Sequence, residues 1–251
     1  MRITVLSNFL ILANCFGFRS HNYLGGLLDN YILNINVTVY DKLLTNINGS
    51  TIQNVSTWAD RVKMNQRFGW TRELHYIDID DCGKIKDPEI YCEKGCIYKT
   101  LNYLSKNNYP NLTVFENWAL LIHLLQDLFQ PLHSFGLFRG GNDKTFRLKR
   151  RNCARCNRRV NFHQLFDSFL PEFFIEKQAF VNLKTPEKNI TDIIQANVDF
   201  ICDKIDWNTT EIFLEDYYSY IGGDVYYNIL INDYLQFSNY IINKKLNLTF
   251  E

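Results

Sequence analysis

The 251 residues, 46% of them hydrophobic, can bury one good-sized core, so a single domain is expected. The formal net charge is zero, which removes the simple electrostatic case for a protein that holds nucleic acid through bulk positive charge. Past the N-terminal segment no window reaches a membrane-spanning apolar length, because His123, Gln126 and Asp127 interrupt the best candidate.

The first residues have the form of a secretory signal, expected to occupy 1–15 and to leave 16–251 as the mature domain. Arg2 precedes an apolar stretch from Ile3 to Ala13, and Ala13-Asn14-Cys15 is a small-residue cleavage site. Ser7 and Asn8 interrupt the stretch, so an uncleaved anchor is the alternative. Two further features point to the secretory pathway, with an extracellular or lysosome/vacuole-like destination. Asn-x-Ser/Thr sequons occur at Asn36, Asn48, Asn54, Asn111, Asn189, Asn208 and Asn247. If Cys15 leaves with the signal, the remaining cysteines form an even set: Cys82, Cys92, Cys96, Cys153, Cys156 and Cys202. We favour Cys92–Cys96 and Cys153–Cys156 as local bridges, with Cys82–Cys202 tying the distant segments. The other reading makes Cys153-x-x-Cys156 half of a zinc site, but the chain has no second Cys-x-x-Cys to complete it.

Helical rather than alternating periodicity runs along most of the chain. Leu24, Leu27, Leu28, Tyr31 and Ile32 share one face; Val39, Leu43, Leu44 and Ile47 share another. Val114 to Phe129 is apolar nearly all round, as in a central buried helix, and Pro131 ends or kinks it. Later helices are expected over Phe162–Phe174, Ile190–Ile205 and a long stretch after Thr210, broken or bent at Gly222-Gly223. The expected fold is all-α: one compact helical domain with ligands brought inward from several helices. Between Lys144 and Arg159 lies a basic run: Lys149, Arg150, Arg151, Arg155, Arg158 and Arg159. Such a run is either a solvated loop or a grip for a phosphate backbone.

All five histidines fall at spacings that suit metal ligands. His123/Asp127 and His163/Asp167 are i,i+4 pairs, which project both side chains from one helix face toward a common ion. His133 follows the Gln130-Pro131-Leu132 turn, His75 lies fifteen positions after Asp60, and His21 follows the expected new N-terminus. Imidazole nitrogen with carboxylate oxygen is a donor set that zinc accepts, and the pattern reads as a multi-zinc hydrolase.

The series Trp58-Ala-Asp60, His75-Tyr-Ile-Asp78, His123-x-x-x-Asp127-x-x-Gln130-Pro131-Leu132-His133, Gly140-Gly141-Asn142-Asp143 and His163-x-x-x-Asp167 resembles the zinc-dependent single-strand nucleases and 3′-nucleotidases of the S1/P1 type. The resemblance runs from Phe16 to Asp167. It implies the phospholipase C/nuclease-like helical fold and three zinc ions. Asp60, His75, His123 and Asp127 would hold the first. Asp127 would bridge to a second, with His21 and the amino group and carbonyl of Phe16. His133, His163 and Asp167 would hold the third. It further implies a catalytic set of Asp60, Lys63 and Asp127, with Lys63 contacting phosphate. Tyr76, Asp78, Gly140 and Asn142 would form a nucleobase pocket. The implied partners are single-stranded DNA and RNA and 3′-nucleotides, with 5′-phosphorylated products, no membrane insertion and a monomeric enzyme.

In three places the chain departs from the family pattern. Ser20 stands where Gly is usual before His21, the arginine-rich Cys153-x-x-Cys156 segment is a local elaboration, and after Asp167 the resemblance fades. Two other functions fit the ligand set: a zinc phospholipase C, and a secreted zinc-stabilised protein without catalysis. The short Phe16-to-His21 spacing, the final Asp167 rather than Glu and the Gly-Gly-Asn turn favour the nuclease. Because Phe16 must supply a free amino group, protein secreted from a eukaryotic host is expected to begin at Phe16. N-terminal sequencing that finds Met1 instead leaves the anchor reading.

Overall fold

Thr113 opens the helix around which the rest of the chain packs. Its hydroxyl accepts from the amide of Glu116 (3.2 Å), and the Glu116 carboxylate accepts from the amide of Thr113 (2.8 Å), a reciprocal cap that satisfies two end donors. In the computed structural model, residues 17–247 are described apart from 94, 152, 154, 155 and 184. The expected signal, the proposed ligand Phe16 and the last four residues lie outside the described residues.

The chain is mostly helical, as its periodicity predicts. Helices α1 (Phe18–Ile35), α2 (Val37–Asn46), α3 (Ile52–Val55) and α4 (Trp58–Val62) precede a 3-10 helix, Gly69–His75. After these come α5 (Ile97–Leu104) and the central α6 (Val114–Asp127), every residue of which from Glu116 onward is buried. Helices α1, α3, α4, α5 and α11 (Gly223–Lys245) all pack against it. Between α1 and α3 the backbones approach closely at Gly25, where a Cβ would stand 2.3 Å from Ser56 Oγ and 2.8 Å from Gln53 Cα. That approach brings Ser56 within reach of α6.

The expected helix over Phe162–Phe174 is interrupted. It consists of α7 (Phe162–Gln164), a π-helical turn at Leu165–Phe169 and α8 (Leu170–Lys177). A widened π turn within a helix is uncommon and tends to mark a functional segment. Helix α9 (Ile190–Lys204) follows with its own cap box, Asn189 and Asp192. Gly222 takes a left-handed conformation (φ +64) and separates α10 (Leu214–Tyr220) from α11.

A small sheet joins the helices, and the helical reading of the chain did not anticipate it. Strands β1 (Thr145–Lys149) and β2 (Arg158–Asn161) form an antiparallel hairpin, and β3 (Glu211–Phe213) pairs parallel to β1, in the order β2-β1-β3. Phe146, Leu148, Val160 and Ile212 point inward while Arg147 and Arg159 point out. The period of two is present but short, and the charge of the run hides it.

Disulfides join Cys82 to Cys202, Cys92 to Cys96 and Cys153 to Cys156. All seven sequon asparagines are exposed. Among the described residues no helix is long and apolar enough to cross a membrane. Loop closure makes the first bridge the stabilising one: it spans 120 residues, against 4 for Cys92–Cys96. Cys82→Ala/Cys202→Ala is expected to cost about 5 kcal/mol and Cys92→Ala/Cys96→Ala about 2 kcal/mol, read from urea midpoints.

Candidate metal centre

Three groups of buried ligands converge where α1, α4, the 3-10 helix, α6 and the π turn meet. They are His21, Asp60 and His123; His75, His123 and Asp127; and His133, His163 and Asp167, with the ligand atoms of each group within 4.8 Å of one another. The structure thus gathers all five histidines and the three aspartates that the sequence singles out.

Asp127 is the hub. Its carboxylate lies 2.8 Å from His75 Nδ1, 3.1 Å from His123 Nε2, 3.5 Å from His21 Nε2 and 3.6 Å from His133 Nδ1. Asp60 on α4 lies 3.6 Å from His123 Nε2 and 3.8 Å from His21 Nε2, so Asp127 is the nearer carboxylate to His21. The ring of His133, carried by a 3-10 turn at Pro131–Ser134, stacks on that of His163 and reaches within 3.8 Å of Asp167. His163 Nε2 is 3.3 Å from Asp167 on the π turn.

An outer layer sets how the imidazoles point. His123 Nδ1 donates to the Ser56 carbonyl (2.6 Å) and His163 Nδ1 to the Gly140 carbonyl (2.8 Å). His21 Nδ1 faces Gln126 Oε1, and Gln126 is oriented by donating to Ser56 Oγ (2.9 Å) and Tyr234 Oη (3.2 Å). In each case Nδ1 carries the proton and Nε2 turns toward the carboxylates, the arrangement in which ligating imidazoles are normally held. Gln130 donates to Asp167 (2.6 Å). Gln126, Gln130 and Ser56 were not singled out as site residues from the sequence. The one signal for Gln126 is that it interrupts an otherwise apolar helix.

The residues fit a set of cations. Asp60 Oδ2, Asp127 Oδ1, Asp167 Oδ2 and both ring nitrogens of His133 are buried without a hydrogen-bond partner among the described residues. Buried polar atoms are ordinarily satisfied, so five such atoms turned to one centre call for a ligand that is not protein. Three carboxylates in one buried cluster also require positive charge.

Burial pushes the imidazoles of His21, His133 and His163 down to about 4, 3 and 4, which leaves them neutral and available as donors. Burial is the largest single influence on Asp60 and Asp127 and raises both, but their neighbours together outweigh it, His123 with Lys63 and His21 at Asp60 and His123 with His133 and His75 at Asp127; both carboxylates stay below the usual range. For Asp167 burial dominates, and its carboxyl is held well above that range.

Of the four residues that the sequence suggests as a base pocket, Tyr76 and Asp78 follow His75 along the chain, and Gly140 is buried beside His163 and leads into Asn142. Main-chain bonds from Ile77 to His133 (2.7 Å) and from Gly136 to Ile79 (2.9 Å) dock the Tyr76–Asp78 segment beside the His133 turn. Tyr76 is half-buried and donates to Glu73 (2.9 Å), while Asp78 is exposed. Gly140 and Gly141 take φ of +59 and +79, and a Cβ on Gly140 would stand 2.9 Å from the Leu132 carbonyl. A side chain there would displace the carbonyl that orients His163. Asn142 donates to the Arg139 carbonyl (2.9 Å) within the same turn. Lys63, largely buried, pairs with Asp60 at 2.7 Å. Ser20, the departure before His21, is buried and donates to the Asp167 carbonyl (3.3 Å), so it ties α1 to the π turn.

A family model described as S1/P1 Nuclease matches residues 16–248. That span continues well past Asp167, where the motif series ends. Endonuclease 4 of Arabidopsis thaliana is 26% identical over 213 residues, covering 78% of this chain and 68% of the relative. Nuclease P1 of Penicillium citrinum is 25% identical over 66% of this chain and 61% of its own length. For Nuclease S1 of Aspergillus oryzae the identity is 25%, over 62% of this chain and 54% of that protein. The chain thus spans between about half and two thirds of the length of these relatives.

In chelated protein the depressed histidines make stability depend on pH. Between about pH 6.5 and 4 the unfolded chain binds more protons at His21, His133 and His163 than the folded one does, so their contribution is present above 6.5 and is lost on acidification. Asp167, raised by burial, opposes this with a contribution that falls as pH rises. Urea midpoints measured in chelator are expected to drop from pH 7 to pH 4.5, and to drop less in His133→Gln.

Proposed function

The chain belongs to the S1/P1 nuclease family, and we propose that it is a secreted zinc-dependent endonuclease that cleaves single-stranded DNA and RNA to 5′-phosphorylated nucleotides and also acts on 3′-nucleotides. The observation that supports this reading is the convergence of His21, Asp60, His75, His123, Asp127, His133, His163 and Asp167 on one buried centre. In this reading Asp60, His75, His123 and Asp127 hold one zinc. His21 and Asp127, with the amino group and carbonyl of Phe16, would hold a second, and His133, His163 and Asp167 would hold a third. The hub position of Asp127 suits a carboxylate shared between ions. Bound there, zinc supplies Lewis acidity toward a phosphoryl oxygen and toward water.

The chain's own residues do the rest. The Lys63 ammonium, paired with Asp60 at 2.7 Å, offers a fixed cation for a phosphate oxygen beside the cluster. Tyr76 provides an aromatic face, and Asp78 with the Gly140–Asn142 turn provides polar groups for a base edge. A base must leave its stack to enter such a pocket, which favours single strands over duplex. Three disulfides and seven exposed sequon asparagines support passage through an oxidising, glycosylating compartment.

The test uses protein secreted from a eukaryotic host, with its metal content measured and single-stranded DNA and RNA as substrates. Release of 5′-nucleotides is expected to stop in chelator and to return with zinc. His123→Ala and Asp60→Asn are each expected to lower kcat by more than about a hundredfold, since even outer-layer partners of a metal site are worth up to that much. Zinc bound without nucleic-acid cleavage sinks the reading and makes phosphatidylcholine the next substrate to try.

A further inference from the structure

We propose that the outer face of the β1–β2 hairpin is an exosite that grips the phosphodiester backbone of a single strand outside the metal centre. The identity of the strand as substrate rests on the nuclease reading above.

The tertiary structure divides the basic run into two halves. Lys149 pairs with Glu211 (2.6 Å), Arg150 with Glu176 (3.2 Å) and Arg151 with Asp216 (2.6 Å), so this half is neutralised within the fold. Arg147, Arg158 and Arg159 have no carboxylate within 4.0 Å among the described residues. Neutral groups position two of them. Arg159 Nε donates to Thr145 Oγ1 (2.9 Å), and the Arg158 guanidinium lies 4.3 Å from the centre of the Phe169 ring. Arg147 and Arg159 stand directly opposite each other in the antiparallel register. Like charges at such a pair destabilise a sheet unless something of opposite sign lies beside them, and Glu211, which stands opposite Arg147 on β3, is engaged by Lys149.

Together with Asn157 and Thr210, the three arginines line an open concavity of about 480 Å³. Fixed guanidinium groups beside neutral amide and hydroxyl donors are the chemistry that contacts phosphate oxygens without reading bases. A zero net charge over the chain makes this a local feature rather than a by-product of a basic protein.

Position in the fold selects a nucleic-acid strand over other polyanions. β2 runs straight into the metal centre: Asn161 caps α7 by accepting from the Gln164 amide (2.7 Å), and α7 carries His163. Arg159 is four residues from His163, at most about 14 Å of extended backbone. A strand whose phosphate occupied the centre would meet the hairpin within a short distance along its backbone.

The experiment measures binding of a fluorescein-labelled 20-nucleotide single strand to the zinc-loaded protein by anisotropy across a salt series, with a phosphorothioate backbone to slow cleavage. Wild type is compared with Arg147→Gln/Arg159→Gln and with Arg147→Lys/Arg159→Lys. The glutamine pair is expected to bind about tenfold more weakly and to flatten the log–log salt slope by about 1.4, while the lysine pair restores both. With zinc, the ratio of kcat/KM for the long strand to that for a 3′-nucleotide is expected to fall about tenfold in the glutamine pair.

A glutamine pair that binds with the wild-type Kd and salt slope, in protein that cleaves, overturns the exosite and leaves the nuclease reading intact. So does arginine-dependent binding to phosphatidylserine vesicles with none to the strand. Arginine-dependent strand binding by wild type that cleaves nothing supports the exosite and removes the nuclease reading.

Discussion

A carboxylate with no exposure at all, set at the end of an apolar helix, is the constraint on which the fold turns. Asp127 occupies the last turn of α6, and removing such a group from water is costly unless positive or donor groups surround it. The surroundings are four imidazoles from four different segments: His21 at the start of α1, His75 at the end of the 3-10 helix, His123 one turn earlier on α6, and His133 after the Pro131 turn. Each segment must reach the same point, so the packing of the helices and the assembly of the cluster are one event.

Around that centre a second requirement operates. An imidazole serves as a ligand only if the proper nitrogen faces inward, and a carbonyl on its other side decides which. Ser56, Gln126 and Gly140 provide those carbonyl oxygens, and each requirement reaches back into the backbone. Ser56 comes near His123 because Gly25 lets α1 and α3 approach. Gly140 can present its carbonyl because it adopts a left-handed conformation with Leu132 pressed against it. The glycines are thus part of the site although none of their atoms would touch an ion.

The hairpin shows the same economy applied to charge. A sequence with a formal charge of zero still builds a concentrated positive face, because tertiary contacts neutralise one half of a basic run and leave the other half to solvent. The hairpin also positions His163 through the Asn161 cap. Surface electrostatics and the metal centre therefore share one short stretch of chain.

Much of the candidate site was legible in the sequence because its signals are local. The i,i+4 spacing of His123/Asp127 and His163/Asp167 defines a helix face without any knowledge of neighbours, and a chain with five histidines at ligand spacings leaves little room for other readings. Helical periodicity likewise fixed the class and the positions of α1, α2, α6, α9 and α11, since an amphipathic or apolar period depends only on residue order. What the tertiary structure alone decided are the non-local matters. The outer carbonyl layer joins residues up to 105 positions apart, as in His21 with Gln126. The small sheet was invisible because its strands are three to five residues long and one pairs across more than sixty positions. The division of the arginines depends on where Glu176, Glu211 and Asp216 arrive in space. Sequence order sets which atoms are available along each element; only the folded packing sets which of them meet.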